Sequence, residues 1–175
     1  MIQAQERQAV LIVEDAADIR DLLSEYFLAR SFDVVGVADG RAALLAIERD
    51  PERFSLIITD LHLPGVDGLA VLRAARAVNP AVYVVIVTGF ASLDSAIQAV
   101  RLGAYDYLTK PFSLGQIDVV LQRIHDIQVL QAENRRLTRQ VSQKDAVDLR
   151  QALLMRLDGI ETRLTRIEAA LRTRP

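Results

Sequence analysis

Four short hydrophobic, strand-like runs in this chain each end on a side chain capable of polar chemistry. Val10 to Val13 leads into Glu14 and Asp15, Leu56 to Thr59 into Asp60, Val82 to Val87 into Thr88, and Tyr105 to Thr109 into Lys110. Such runs read as buried strands, and in an open parallel sheet the carboxyl ends of the strands face one crevice. Three carboxylates, a hydroxyl and an ammonium are thereby predicted to share one site. Neighbouring acids repel one another unless a cation offsets them. Magnesium takes one or two protein carboxylates, retains waters and bridges to phosphate oxygens, which suits a shallow, oxygen-lined crevice. Each residue has an ordinary explanation by itself: Glu14 and Asp15 as acids at a helix start, Asp60 as a turn residue, Thr88 as a strand-end hydroxyl, Lys110 as a solvated loop charge. Their joint placement after consecutive strands is what points to chemistry.

The elements that must position them follow from hydrophobic spacing. Strands are predicted at 9–13, 33–37, 54–59, 82–87 and 105–108, with amphipathic helices at 17–30, 40–49, 67–77 and 91–102. Strands alternating with helices of this length imply right-handed crossovers and a parallel sheet covered on both faces, an α/β fold. Asp39-Gly40 opens the second helix, Asn79-Pro80 follows the third, and Gly103 closes the fourth in the left-handed cap position.

At 175 residues and 51% hydrophobic, the chain has room for one domain with a substantial core plus an appendage. The absence of cysteine excludes disulfides and thiolate metal sites, and two histidines make an imidazole zinc site improbable, so a metal should be held by oxygen. No basic flank leads into a long apolar core at the N-terminus and no apolar run is long enough to cross a bilayer, so the expected location is cytoplasmic, without membrane partners. The net charge of −2 hides an asymmetry: residues 1–112 carry 15 acids and 10 bases, and residues 113–175 carry 8 acids and 11 bases. The tail's bases are interspersed with acids and no aromatic accompanies them, which favours a solvated helix face over nucleic-acid binding.

From Ser113 onward a 3.5-residue spacing replaces the strand runs. Ile127, Leu130, Leu137 and Val141 fall on a and d positions of one heptad register with Asn134 at a, a polar residue of the kind that favours paired parallel helices. Leu153, Leu157, Ile160, Leu164, Ile167 and Leu171 form a second register, with a break between Ser142 and Arg150. In the second stretch Arg156 and Arg163 at g face Glu161 and Glu168 at e across a parallel dimer. A parallel homodimer through an extended C-terminal coiled coil is therefore expected, against the alternative of a hairpin folding back at Asp158-Gly159.

These residues resemble the receiver domain of bacterial two-component response regulators, and in detail the receivers of enhancer-binding activators. The resemblance covers residues 8–125 and rests on Leu11-Ile-Val-Glu-Asp15, the run from Ile58 to Gly68, Val87-Thr-Gly89 and the run from Gly103 to Phe112. It implies a flavodoxin-like, doubly wound five-stranded sheet in a receiver domain spanning 1–125, with 126–175 as the helical dimerisation tail. By the same resemblance Asp60 is the phosphoacceptor, and magnesium is held by Glu14, Asp15, Asp60 and the backbone carbonyl of His62. Thr88 and Lys110 bind the phosphoryl oxygens, Lys110-Pro111 is a cis peptide, and Thr88 and Tyr107 form the switch. His62 and Phe90 flank the path of an attacking water without a carboxylate or amide to orient it, so slow self-dephosphorylation is expected. His125 reads as a solvated helix residue rather than a relay histidine.

The expected function is phosphoryl acceptance from a histidine kinase or phosphotransfer protein, followed by signalling through the receiver face and the coiled-coil tail to a protein not named by the sequence. Such a protein is no enzyme beyond its own phosphorylation and dephosphorylation. The alternative is a transcriptional regulator touching DNA through the basic tail. No glycine-rich phosphate loop and no DNA-reading helical unit can be placed in the sequence. A stand-alone phosphatase built on Asp60 fits poorly, because His62 stands where the dehalogenase-like enzymes carry a second aspartate.

Overall fold

The computed structural model describes residues 8–139 and 150–151. The chain divides into two compact units, Met1–Val120 and Leu121–Pro175. In the first, the elements alternate as β1 (Ala9–Val13), α1 (Ala17–Leu28), β2 (Asp33–Val37), α2 (Gly40–Arg49), β3 (Phe54–Asp60), α3 (Gly68–Val78), β4 (Tyr83–Thr88), α4 (Leu93–Arg101) and β5 (Asp106–Thr109). A final helix, α5, begins at residue 114, and helical structure continues to residue 139.

The five strands form one parallel sheet in the order β2-β1-β3-β4-β5. The order reverses direction beside β1, which makes the carboxyl ends of β1 and β3 the crevice of a doubly wound fold. Strands covered on both faces need apolar side chains in both alternating sets, and β1 is buried at every position. Leu11, Val13, Ile57, Val84 and Ile86 join Ala43 and Ile47 of α2, Leu69, Val71, Leu72 and Ala75 of α3 and Ala99 of α4 in one core cluster. The alternate set, Val10, Ile12, Leu56, Ile58, Val85 and Val87, is buried as well, and α1 packs on β1 and β2. Each such aliphatic side chain contributes about 1.5–3 kcal/mol by leaving water, so the strand ends are rigidly held.

Helix boundaries are set by side-chain caps and turn geometry. The Asp39, Asp67 and Ser92 side chains accept the backbone N–H groups of Ala42, Ala70 and Ser95, so α2, α3 and α4 start immediately after them. The sequence places the start of α4 at 91; the Ser92 cap moves it to Leu93. Gly103 adopts a φ of 86°, with Ala104 N–H bonded to the Ala99 carbonyl and Gly103 N–H to the Val100 carbonyl, a Schellman motif. The end of α1 is the same motif built without glycine: Ser31 has a φ of 65°, Phe32 N–H reaches the Phe27 carbonyl and Ser31 N–H that of Leu28. The Phe27 and Phe32 rings meet edge-to-face at 5.2 Å, supplying the apolar contact that accompanies this turn, so α1 ends at Leu28 and not at 30 as its hydrophobic pattern suggests.

The first two turns of α5 bury Ile117 and Val120. Its Asp118 is tied to α1 by the Tyr26 hydroxyl and to the turn after α1, at 2.9 Å, by Arg30, whose guanidinium also lies 3.7 Å over the Tyr26 ring. In the second unit, residues 121–139 are helical, with Leu130 and Leu137 exposed and the Thr138 hydroxyl donating to the Asn134 carbonyl at 2.9 Å. His125 is exposed. Val141, the break between Ser142 and Arg150 and the second heptad stretch lie outside the described residues, apart from helical Arg150 and Gln151.

Candidate functional site

The ladder hydrogen bonds of the sheet run one residue beyond the strands and fix the residues at their ends. Glu14 N–H donates to Val37, Leu61 N–H to Val87 and Lys110 N–H to Thr88, at 3.1, 2.9 and 2.8 Å. Asp60 pairs with Val87 and Thr88 with Thr109 in the sheet register, so Glu14, Asp60, Thr88 and Lys110 are delivered to one edge by four different strand ends.

Lys110 organises this edge. Its Nζ lies 2.8 and 2.7 Å from the two oxygens of Glu14 and 2.6 Å from Oδ2 of Asp60. Glu14 and Asp60 are buried while Asp15 is exposed. Buried carboxylates are expensive unless paired, and one ammonium here serves two. Burial pushes the Glu14 carboxyl above its ordinary range despite the Lys110 ammonium. At Lys110 burial pulls the other way, but the bonds to Asp60 and Glu14 outweigh it and hold the amine above its ordinary value. The site is thus poised between charge crowding and neutralisation, the condition under which an added cation is favoured.

One oxygen from each of Glu14, Asp15 and Asp60 falls within 4.8 Å of the others. All three donors are hard oxygens, the chemistry that magnesium and calcium accept and soft metals do not. The second oxygen of Asp60, Oδ1, accepts the His62 backbone N–H at 2.8 Å, so both carboxylate oxygens are oriented. The Lys110-Pro111 peptide is cis.

Thr88 is fully buried at the end of β4, and its hydroxyl is engaged from the mouth of the site. Phe90 N–H donates to Oγ1 at 3.2 Å, and Nδ1 of His62 lies 3.1 Å from the same oxygen. The His62 and Phe90 rings meet edge-to-face at 5.8 Å. The sequence places both residues beside the approach to Asp60, but not the bond between His62 and Thr88: the residues are 26 positions apart and no pattern of spacing marks a side-chain meeting across two loops. Tyr107 lies half-buried on β5, packed against the core, and its hydroxyl sits 2.9 Å from Oγ of Ser95. Ser95 is itself half of the capping box that starts α4.

A family model described as the response regulator receiver domain matches residues 10–122. The chain belongs to this family. Receivers serve phosphorylation-based two-component signalling, and the strand-end site lies within the matched residues. Regulatory protein AtoC of Escherichia coli (strain K12) is 31% identical to this chain over 134 residues, covering 76% of this chain and 28% of AtoC. The C4-dicarboxylate transport transcriptional regulatory protein DctD of Rhizobium meliloti (strain 1021) is 31% identical over 131 residues, covering 75% of this chain and 28% of DctD. The chain therefore spans little more than a quarter of the length of either relative. Among solved structures, a response regulator protein from Burkholderia pseudomallei with a phosphorylated aspartic acid, a calcium ion and citrate has a TM-score of 0.61 and 28% identity, over 71% of this chain and 73% of that one. Among the described residues of the receiver, no helix is long and apolar enough to cross a membrane.

Proposed function

We propose that the receiver accepts a phosphoryl group on Asp60 from a histidine kinase or phosphotransfer protein. The observation that carries this reading is the orientation of Asp60 at the carboxyl edge of the sheet, one oxygen held by Lys110 and the other by the His62 N–H, with Glu14 and Asp15 alongside. A carboxylate is a modest nucleophile, but phosphoryl transfer asks chiefly for alignment and charge neutralisation. An Asp60 oxygen forms the new bond to phosphorus as the bond to the donor's imidazole nitrogen breaks, and that nitrogen retains the electron pair. Lys110 then faces a phosphoryl oxygen where it now faces the carboxylates.

Glu14, Asp15, Asp60 and the backbone carbonyl of His62 would hold magnesium, and the hard, crowded oxygen set fits it. Bound there, the ion would neutralise charge on the phosphoryl oxygens. Thr88 supplies the link to the rest of the protein. To hydrogen-bond the phosphoryl group its hydroxyl must give up His62 and Phe90, and Tyr107 must leave Ser95 to fill the space behind it. That movement would remodel the face made by α4, β5 and α5, the surface through which the signal passes to a partner protein.

In this reading residues 1–125 form the receiver and 126–175 a tail that joins two copies as a parallel coiled coil. The exposed Leu130 and Leu137 support that role. The alternative, DNA contact through the basic tail, draws support from the description of DctD as a transcriptional regulatory protein. DNA affinity falling steeply with salt would favour it. The central claim is tested by incubating the chain with acetyl phosphate and magnesium and weighing it by mass spectrometry. One added phosphoryl group is expected, absent in Asp60→Asn; a gain that survives that substitution rules out Asp60 as the acceptor.

A further inference from the structure

The acidic pair that ends β1 is held from behind by a side chain with no part in the phosphoryl reading. Arg20, on the first turns of α1, donates from Nη1 to the Glu14 carbonyl at 2.8 Å and to the Asp15 carbonyl at 3.3 Å. The other backbone groups of this bend are also committed. Glu14 N–H is bonded to Val37, and Ala16 N–H is shared between Asp15 Oδ1 at 3.0 Å and Glu14 Oε1 at 3.4 Å. Arg20 thus fastens both carbonyls from a single nitrogen.

The neighbouring strand makes way for it. A Cβ at Gly36 of β2 would stand 3.4 Å from Cγ of Arg20, 3.5 Å from its Cδ and 3.4 Å from Oγ of Ser24. Glycine at that position leaves the arginine stem an uncrowded course along the strand. The Ser24 hydroxyl donates to the Arg20 carbonyl at 2.7 Å, and Arg20 N–H bonds the Ala16 carbonyl at 3.0 Å, which fixes the helix turn from which the stem departs.

We propose that Arg20 is a positioning residue for the cation site: by gripping the carbonyls of Glu14 and Asp15 it sets the direction of both carboxylates before a divalent ion arrives. The inference rests on the magnesium reading above. A guanidinium suits the task because it is planar and always charged, and its Nη1 makes directed bonds to both carbonyl oxygens that a flexible ammonium holds less rigidly. Partners that orient ligands in this way govern metal affinity although they never touch the metal.

The test is calorimetric titration of the full chain with magnesium chloride for the wild type and the variants Arg20→Met, Arg20→Lys and Asp15→Asn, each shown by circular dichroism to be folded at the working temperature. Arg20→Met keeps the stem beside Gly36 and deletes the fork. It is expected to weaken magnesium binding by roughly tenfold or more, with Arg20→Lys between it and the wild type. A merely structural role would lower the melting temperature and leave the affinity of the folded protein unchanged, and that result overturns the proposal. Should Arg20→Met not fold, Arg20→Lys decides, since affinity equal to the wild type would overturn it equally. If the wild type binds and Asp15→Asn does not, the magnesium reading stands whatever Arg20 does. If the wild type fails to bind, that reading falls and this inference with it.

Discussion

Thr88 marks how much rests on single contacts in this receiver. Its hydroxyl is held by His62 and the Phe90 N–H, so whatever draws it toward Asp60 must first break those bonds. A hydrogen bond of this kind is worth about 0.5–1.5 kcal/mol net, so His62→Ala is expected to speed phosphorylation by acetyl phosphate roughly two- to tenfold. An unchanged or slower rate, followed by mass spectrometry over time, would show that His62 does not restrain Thr88. The gathering of Glu14, Asp60 and Thr88 at one edge was legible because continuous apolar runs announce their strands, and that of Lys110 because a shorter, mixed strand precedes it. Arg20 and the ring of His62 were not. An arginine on an amphipathic helix looks solvated, and its grip on two backbone carbonyls depends on a glycine from another strand.

At the scale of elements, the site depends on how closely α3 begins beside β3. Gly68, the first residue of α3, donates its N–H to the Leu61 carbonyl, and a Cβ there would lie 2.1 Å from the Asp60 carbonyl oxygen. Gly68→Ala must push the helix start away from the acceptor strand. It is expected to cost about 1–3 kcal/mol of stability, measured by urea unfolding, and to slow phosphorylation as well. The tie between α1 and α5 carries a pH signature. Burial, and secondly the bond to Asp118, push the Tyr26 phenol up to about 12. The fold thus favours the protonated phenol: its contribution is complete below the ordinary value near 10 and is lost as the pH rises from there through about 12. Tyr26→Phe should remove the ionisation near pH 12 from a spectrophotometric titration. Helix ends were legible where glycine or an acid or serine cap stood at the turn, as at Asp39 and Gly103. The end of α1 escaped because Ser31 occupies a left-handed conformation that only glycine and asparagine advertise.

For the whole molecule, the parallel sheet follows from the alternation of strands and helices, while its doubly wound form was implied by the family resemblance. The proposed pairing of tails is a separate matter, and of its seam Leu130 and Leu137 are exposed among the described residues. Light scattering of the full chain and of residues 1–125 should give a dimer for the first and a monomer for the second. A monomeric full chain, with or without magnesium and beryllofluoride, would remove the coiled-coil dimer. A last consequence belongs to time rather than space. The bond from Lys110 to Glu14 joins residues 96 apart, so a chain emerging from the ribosome has laid down every other strand before the ammonium that reconciles its buried acids exists. Until Lys110 arrives, Glu14 and Asp60 lack the ammonium that bonds both of them. On the proposed reading, Asp60 gains the ammonium that steadies it as an acceptor only after the chain has reached Lys110.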